Sequence, residues 1–391
     1  MTAIVGIAVH SARISPKTIW TFVALRDAEG RVGWGEATLH GAAVAIRAHF
    51  ARLEGTIVGA TPQDALNALD VDAIHDLAEA AAVSSIDQAL WDLSAQQAVE
   101  PLASHLGAPR TQRVPLYANI NRGTLDRSPD GFAARAREVA ANGFDAVKIA
   151  PLDDVRPQNC ATPEGRRLVD AGIARITAVR AAIGPSRKLM VDCHWRLTEA
   201  VALDVLRELE PLGLYWFECP IAEVPAIFPA LRRIRSAANA RGVLTAGCEE
   251  LIGLPAFAEF LDAGVYDAIM PDIKYVGGHR EMLKVGERAA KSGVICSPHN
   301  PSGPIAHLHS VHSSALLETC PLLEFQYGES DLFFDLVAGE MPDPRRGASD
   351  VPPRPGIGAA IDVARLAPLE LTGGALQAAM AAPSTNPRSK R

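Results

Sequence analysis

The sequence predicts an α/β protein in which a TIM-type barrel is preceded by a smaller α+β domain. Three observations lead there. From Val114 onward, eight short apolar runs alternate with helical stretches, the strand count of a (β/α)8 barrel. Before Val114 the rhythm differs, with paired strands first and helices after them. The length, 391 residues, exceeds what one compact core normally holds. An open doubly wound sheet is the competing architecture, but no Gly-x-Gly-x-x-Gly follows a first strand.

Taken in order, residues 3–10 and 18–26 read as strands. Asp27-Ala28-Glu29-Gly30 reads as a turn with glycine where positive φ is cheap, and Arg31 to Glu36 as the returning strand of a hairpin. Residues 37–61 read as loop and short helix, broken by Gly41, Gly55 and Gly59. Helices are expected near 62–79 and 84–106. The second has Ser85 and Gln88 at capping-box spacing, with Ile86, Ala89, Leu90 and Leu93 on one face. The barrel runs are 114–119, 144–149, 187–192, 214–218, 243–247, 266–271, 293–297 and 322–326. Amphipathic segments such as 129–142, 166–183, 198–210, 225–240, 278–292 and 304–317 lie between them. The expected domains are thus 1–113 and 114–326. A Pro- and Gly-rich segment, 327–380, is expected to pack back on the first domain, and 381–391 reads as a disordered tail.

Composition narrows the function classes. A net charge of −7, with no basic stripe, argues against nucleic acid as a partner. No apolar run is long enough to span a bilayer, and the first residues lack the basic start and apolar core of a signal peptide. The six cysteines show no zinc-ribbon or redox spacing, and four lie in or beside apolar runs, where cysteine behaves as a small buried hydrophobe. A reducing cytoplasm is the expected location.

Polar residues collect where the barrel strands end, which is where such barrels carry their chemistry. The second run ends in Lys148, the third in Asp192 and His194, and the fourth in Glu218. The fifth leads to Glu249 and Glu250, the sixth ends in Asp272, the seventh in His299, and the eighth brings Glu324. In a strand, residues i and i+2 point the same way, so Asp192 and His194 are expected to face one space and Cys193 the other. Asp192, Glu218 and Glu249 come from neighbouring strands. Three converging carboxylates repel one another, which implies a cation, and all-oxygen donors point to Mg²⁺ before Mn²⁺ or Ca²⁺. Asp272 beside His299 makes a general base whose tautomer is set by the carboxylate. His194 lies across the mouth, so two imidazoles could approach a bound substrate from opposite faces. That layout suits removing a proton beside a carboxylate while protonating a leaving group. His307, His309 and His312 on the seventh helix read as structural, and His40 at most as a lid residue.

These residues resemble the enolase superfamily, in its mandelate racemase subgroup, over nearly the full chain. Gly33-Trp34-Gly35-Glu36-Ala37 resembles the family's first hairpin, and Ser85 to Leu93 its cap helix. Phe217-Glu218-Cys219-Pro220 resembles the second-ligand motif, and Pro271-Asp272 with Gly277-Gly278 the sixth-strand motif. The resemblance implies a capping domain over a modified (β/α)7β barrel. It implies Asp192, Glu218 and Glu249 as Mg²⁺ ligands (Glu249 matching the motif better than Glu250), Asp272–His299 as base dyad, and Glu324 near the substrate carboxylate. Family use of a Lys or His base with Mg²⁺ is general to this superfamily.

Many members carry Lys-x-Lys on the second strand, but here the stretch is Lys148-Ile149-Ala150, so the second lysine is missing. His194 two residues after the first ligand, and Ser297 to Ala306, resemble instead the galactonate dehydratase-like acid-sugar dehydratases. The function implied is dehydration of a sugar acid (an aldonate or aldarate) to a 2-keto-3-deoxy acid, with His299 as base, His194 as acid and Lys148 near the carboxylate. The partner is a small-molecule sugar acid, and family members are commonly homo-oligomers. The rivals are epimerisation or lactone cycloisomerisation through the same enolate, and a non-catalytic binding protein on the same scaffold. Specificity is expected from loops around 12–18, 37–61 and 150–163, and from Asn119, Asn121, Arg156 and Trp195.

Overall fold

Three antiparallel strands, β1 (Ile4–Arg13), β2 (Ile19–Asp27) and β3 (Val32–Glu36), open the chain in the computed structural model, which describes residues 2–339 and 341–381. The tail expected to be disordered lies, past Ala381, outside the described residues. The β2–β3 hairpin turns where the sequence predicts. Asp27 Oδ1 accepts from the Glu29 and Arg31 amides at 3.0 and 2.9 Å, and Gly30 takes φ +87°.

The helices of this cap differ from expectation. Residues 37–61 hold a full helix, α1 (Ala43–Ile57), that runs through Gly55. One interior glycine costs a helix only about 1 kcal/mol against alanine, which α1 offsets by burying Ile46, Phe50 and Ile57. α2 (Pro62–Ala68) stops early, and α3 (Leu77–Ala98) starts upstream of the expected capping box. Its N-cap is Asp76, whose Oδ1 accepts from Glu79 N at 2.8 Å, and the alanine-rich turns after it have high helix propensity. Ser85 therefore sits inside the helix and donates its hydroxyl to Ala82 O at 2.9 Å. α3 ends at Val99 with φ +59°, and α4 (Leu102–Leu106) is a separate turn. Strand β3 lies directly on α3. A Cβ at Gly35 would meet Ser85 O at 2.0 Å, which is why this motif needs glycine there.

The barrel follows in strict alternation: β4 (Arg113–Asn119), α5 (Pro129–Ala141), β5 (Ala146–Ile149), α6 (Pro163–Ile183), β6 (Lys188–Asp192), α7 (Glu199–Leu209), β7 (Trp216–Glu218) and α8 (Phe228–Asn239). It continues with β8 (Leu244–Gly247), α9 (Gly253–Ala263), β9 (Ala268–Ile269), α10 (His279–Lys291), β10 (Ile295–Cys296), α11 (Pro304–Ser314) and β11 (Leu323–Gln326). All eight expected strands are present, several shorter than their apolar runs. The parallel sheet runs β10-β9-β8-β7-β6-β5-β4-β11. Where β10 meets β11, single bonds replace a ladder: Cys296 N to Thr319 O (3.1 Å) and Glu324 N to Pro298 O (3.4 Å).

Strand alternation sorts side chains into two cores. Leu116, Val147, Leu189, Val191, Phe217 and Ile269 face the helices. Tyr117, Ala146, Met190, Trp216, Ala246, Ala268, Met270 and Leu322 fill the barrel interior. One two-residue step further along several strands replaces this apolar plug with Asn119, Lys148, Asp192, Glu218 and Glu324, all buried. The C-terminal segment touches both layers. β12 (Ala348–Asp350) pairs with β4, while Leu371 N donates to Ser11 O at 2.7 Å. No helix among the described residues is long and apolar enough to cross a membrane.

Candidate active site

Asp192 and Glu218 are directly paired residues on β6 and β7. Glu249 follows β8, and carboxylate oxygens of the three acids lie within 4.8 Å of one another. Glu249, not Glu250, completes this cluster; Glu250 lines the cavity mouth above it. The backbone turns sharply beside each acid, with φ +44° at Cys219, +74° at Cys248, and +49° and +56° at His194 and Trp195. Such left-handed non-glycine residues cost energy, and four of them gather beside these acids. Cys193, Cys219 and Cys248 all pack into the outer core, so the cluster offers oxygen and no sulfur.

The expected shared face of Asp192 and His194 is realised by a different route. β6 ends at Asp192, and the left-handed turn, not strand alternation, brings the imidazole back. His194 N donates to Asp192 Oδ1 at 2.8 Å, Trp195 N donates to Cys219 O at 2.6 Å, and His194 Nε2 lies 2.6 Å from Asp192 Oδ2.

Burial and the neighbouring carboxylates Asp192, Glu249 and Glu324 push the Glu218 carboxyl well above the usual range, although Lys148 opposes them. Lys148 Nζ donates to Glu218 Oε1 at 2.6 Å and stands 3.0 Å from Glu324 Oε1. Burial disfavours its charge, but these two acids hold its pKa well above the ordinary value. One ammonium thus serves two carboxylates in a cluster that carries more negative than positive charge. Glu324 also accepts from Asn119 Nδ2 (2.6 Å) and Asn300 N (2.9 Å). Burial works against its ionisation, yet Lys148, His299 and these donors keep its pKa low.

Across from β6, His299 Nδ1 lies 2.8 Å from Asp272 Oδ2, and its Nε2 turns toward the acids, 3.4 Å from Glu249 Oε2. Lys274 is a member that sequence reasoning missed. Its Nζ donates to the same Asp272 Oδ2 at 2.6 Å and also to Ser302 Oγ. Despite burial, Lys274 and His299 keep the Asp272 carboxyl below the ordinary range. Strand periodicity does not point to it: β9 ends at Ile269, and Lys274 lies in the turn after Asp272, where its amide donates to Asp272 Oδ1 at 2.8 Å.

Above these groups lies a cavity of about 430 Å³. His194, His299, Asp192 and Lys274 line its floor, while Lys17, Thr38 and His40 reach it from the cap. Asn119, Asn121, Trp195 and Asp153 also line it, with Arg127 gripping Asp153 at 2.7 and 2.8 Å. Arg156 does not: it is exposed, and its amide closes a short turn on Asn159 Oδ1. His307, His309 and His312 are buried as structural residues, with burial pulling them to about 3, 3 and 4.

Family models match most of the chain. An enolase C-terminal domain-like model covers residues 131–365, and the N-terminal domain model of mandelate racemase / muconate lactonizing enzyme covers residues 5–107. A D-gluconate dehydratase of Thermoproteus tenax is 30% identical over 346 residues, spanning 87% of this chain and 67% of that one. A D-galactonate dehydratase of Ralstonia nicotianae is 29% identical over 371 residues, 90% and 91% of the two chains. Among solved structures, a mandelate racemase/muconate lactonizing enzyme-like protein from Rubrobacter xylanophilus superposes with a TM-score of 0.84 at 25% identity, covering 98% and 100%. The 3,6-anhydro-D-galactonate cycloisomerase of Zobellia galactanivorans superposes at 0.82 with 24% identity, covering 95% and 100%. With both halves matched and the buried acid trio at the strand ends, the chain belongs to the mandelate racemase and muconate lactonizing enzyme family of the enolase superfamily.

Proposed function

We propose that this protein is a Mg²⁺-dependent dehydratase that converts a sugar acid, aldonate or aldarate, into a 2-keto-3-deoxy acid. The observation that carries the reading is the pair of imidazoles, His194 and His299, lining one cavity beside three buried carboxylates. Relatives named D-gluconate and D-galactonate dehydratase support it.

The donor set fits a hard divalent ion. Three buried carboxylates converge with oxygen atoms alone, and burial together with the neighbouring acids raises the Glu218 pKa although Lys148 opposes it. Asp192, Glu218 and Glu249 would hold Mg²⁺, which when bound supplies charge to stabilise the substrate carboxylate as its α-proton leaves. His299, its Nδ1–H directed to Asp272, presents Nε2 to take that proton. His194, 23% exposed and so open to the cavity, gives its proton to the departing β-hydroxyl, which leaves as water. The resulting enol becomes the 2-keto group. Lys148 and Asn119 hold Glu324 in place beside the reacting carboxylate. Ala150 supplies no second-strand base, so a proton-returning group for simple epimerisation would have to be His194 itself.

The test is a screen of aldonic and aldaric acids with Mg²⁺, with products identified by NMR. A 2-keto-3-deoxy product supports the reading. An epimer or a ring-isomerised lactone would replace it with the rival enolate chemistries, and ligand binding without any α-proton exchange would favour a non-catalytic role.

A further inference from the structure

α10 and α11, the helices that follow the Asp272 and His299 segments, begin at Gly278 and Gly303, residues with no capping side chain of their own. The free first-turn amides at such a buried end require acceptors (three in α11, where Pro304 has no N–H). The cap supplies several of these partners and braces the loop before α10. Asp87 Oδ1 of α3 accepts from His279 N at 2.7 Å, Ser84 Oγ accepts from Gly277 N at 3.0 Å, and Gln88 Nε2 donates to Ile273 O at 3.2 Å. At the other helix Glu36, the last residue of β3, accepts from Gly303 N with Oε1 (2.8 Å) and from Ala306 N with Oε2 (3.0 Å).

Glu36 is fully buried, a position that is expensive for a carboxylate unless each oxygen is satisfied. It is also the end of a continuous path. The residue before Gly303, Ser302, accepts from Lys274 Nζ, which donates onward to the Asp272 oxygen that holds His299 Nδ1. We infer that Glu36 is a positioning residue for the base: docking of the cap sets the 299–306 segment, and through Ser302 and Lys274 it sets the Asp272–His299 pair. The inference rests on the proposed role of His299 and adds a residue from the cap to the machinery that aims it.

Glu36→Gln keeps the shape and turns one of the two accepting oxygens into a donor. Gly303→Ala tests the same contact from the other side. Gly303 has an ordinary φ of −78°, and the added Cβ would meet both Glu36 carboxylate oxygens at 2.8 Å. Both variants are expected to lower kcat by roughly 10–100-fold with KM changed less than about 3-fold, because misaligning a base acts on the reacting geometry. Independently of any substrate, hydrogen exchange measured by mass spectrometry should quicken by about 10-fold or more in peptides covering 299–307, with α5–α8 unaffected. Lys274→Met should give the same kinetic split, and its combination with Glu36→Gln should cost less than the product of the two. Unchanged exchange in 299–307, or a rise shared by the whole barrel, would overturn the proposal. So would faster local exchange with kcat intact. If no sugar acid is turned over, the exchange arm still decides whether Glu36 holds this segment, while the function reading fails separately.

Discussion

His194 and His299 have different surroundings, and in the proposed dehydration that difference separates a base from an acid. His299 is held at Nδ1 by a carboxylate that Lys274 and burial keep in place, leaving Nε2 facing the acids. His194 sits on a strained turn at the cavity floor, more open to solvent and substrate. His194→Asn is therefore expected to lower dehydration by about 10²–10⁴-fold, the usual worth of a general acid. Exchange of the substrate α-proton with deuterated solvent should survive in that variant, and His299→Asn should abolish both. Exchange lost in His194→Asn would reverse the assignment. At this scale the sequence was readable wherever strand periodicity governs, as at Lys148 and Glu218. It was less readable at His194, whose direction comes from a left-handed turn braced by Cys219 O, just past the end of β7.

Among the elements, α3 departs furthest from its local pattern. Ser85 and Gln88 have capping-box spacing, yet Gln88 bonds to β3 and to the Asp272 loop, and the helix starts eight residues earlier than Ser85 at Leu77. Asp76→Ala should then cost about 1 kcal/mol of stability, the usual value of an N-cap. Ser85→Ala should cost only a few tenths, since an interior serine that bonds back to its own helix adds little. Urea unfolding of the two variants checks the order; a larger loss at Ser85 would mean the cap was misassigned. A short motif is ambiguous here because the same residues serve a tertiary contact.

For the whole molecule, the deficit of positive charge in the acid cluster predicts linkage. Mg²⁺ at about 100 times its Kd should stabilise the fold by about 2.7 kcal/mol, read as a rise in Tm. Glu218→Gln should remove most of that rise, and an equal rise in the variant would place the ion elsewhere. A second prediction concerns the seam between barrel and cap. His312 of α11 accepts from Ala103 N at 3.1 Å and faces Ile357 O, and burial lowers its pKa to about 4. The folded protein binds this proton less readily than the unfolded chain, so the contribution of His312 is complete above about pH 6.5 and is lost as pH falls toward 4. Asp92, raised by burial to about 6, has the opposite sign: its contribution is complete near pH 3.8 and is lost as pH rises to 6. In thermal melts the deficit of His312→Gln should shrink on acidification from pH 6.5 to 4. Asp92→Asn should gain on the parent protein as pH rises from 4 to 6.

By itself the sequence determined the eight strands, the cap hairpin and the acids and imidazoles at the strand ends. These follow from alternation and turn chemistry, which act over a few residues. The tertiary structure decided what depends on neighbours distant in the chain. It drew Glu249 into one cluster with Asp192 and Glu218, recruited Lys274, left Arg156 outside, and turned Glu36 and Asp87 into caps for helices more than 190 residues away. Buried charges and helix ends must find partners wherever the fold offers them, and no local spacing records which partner that will be.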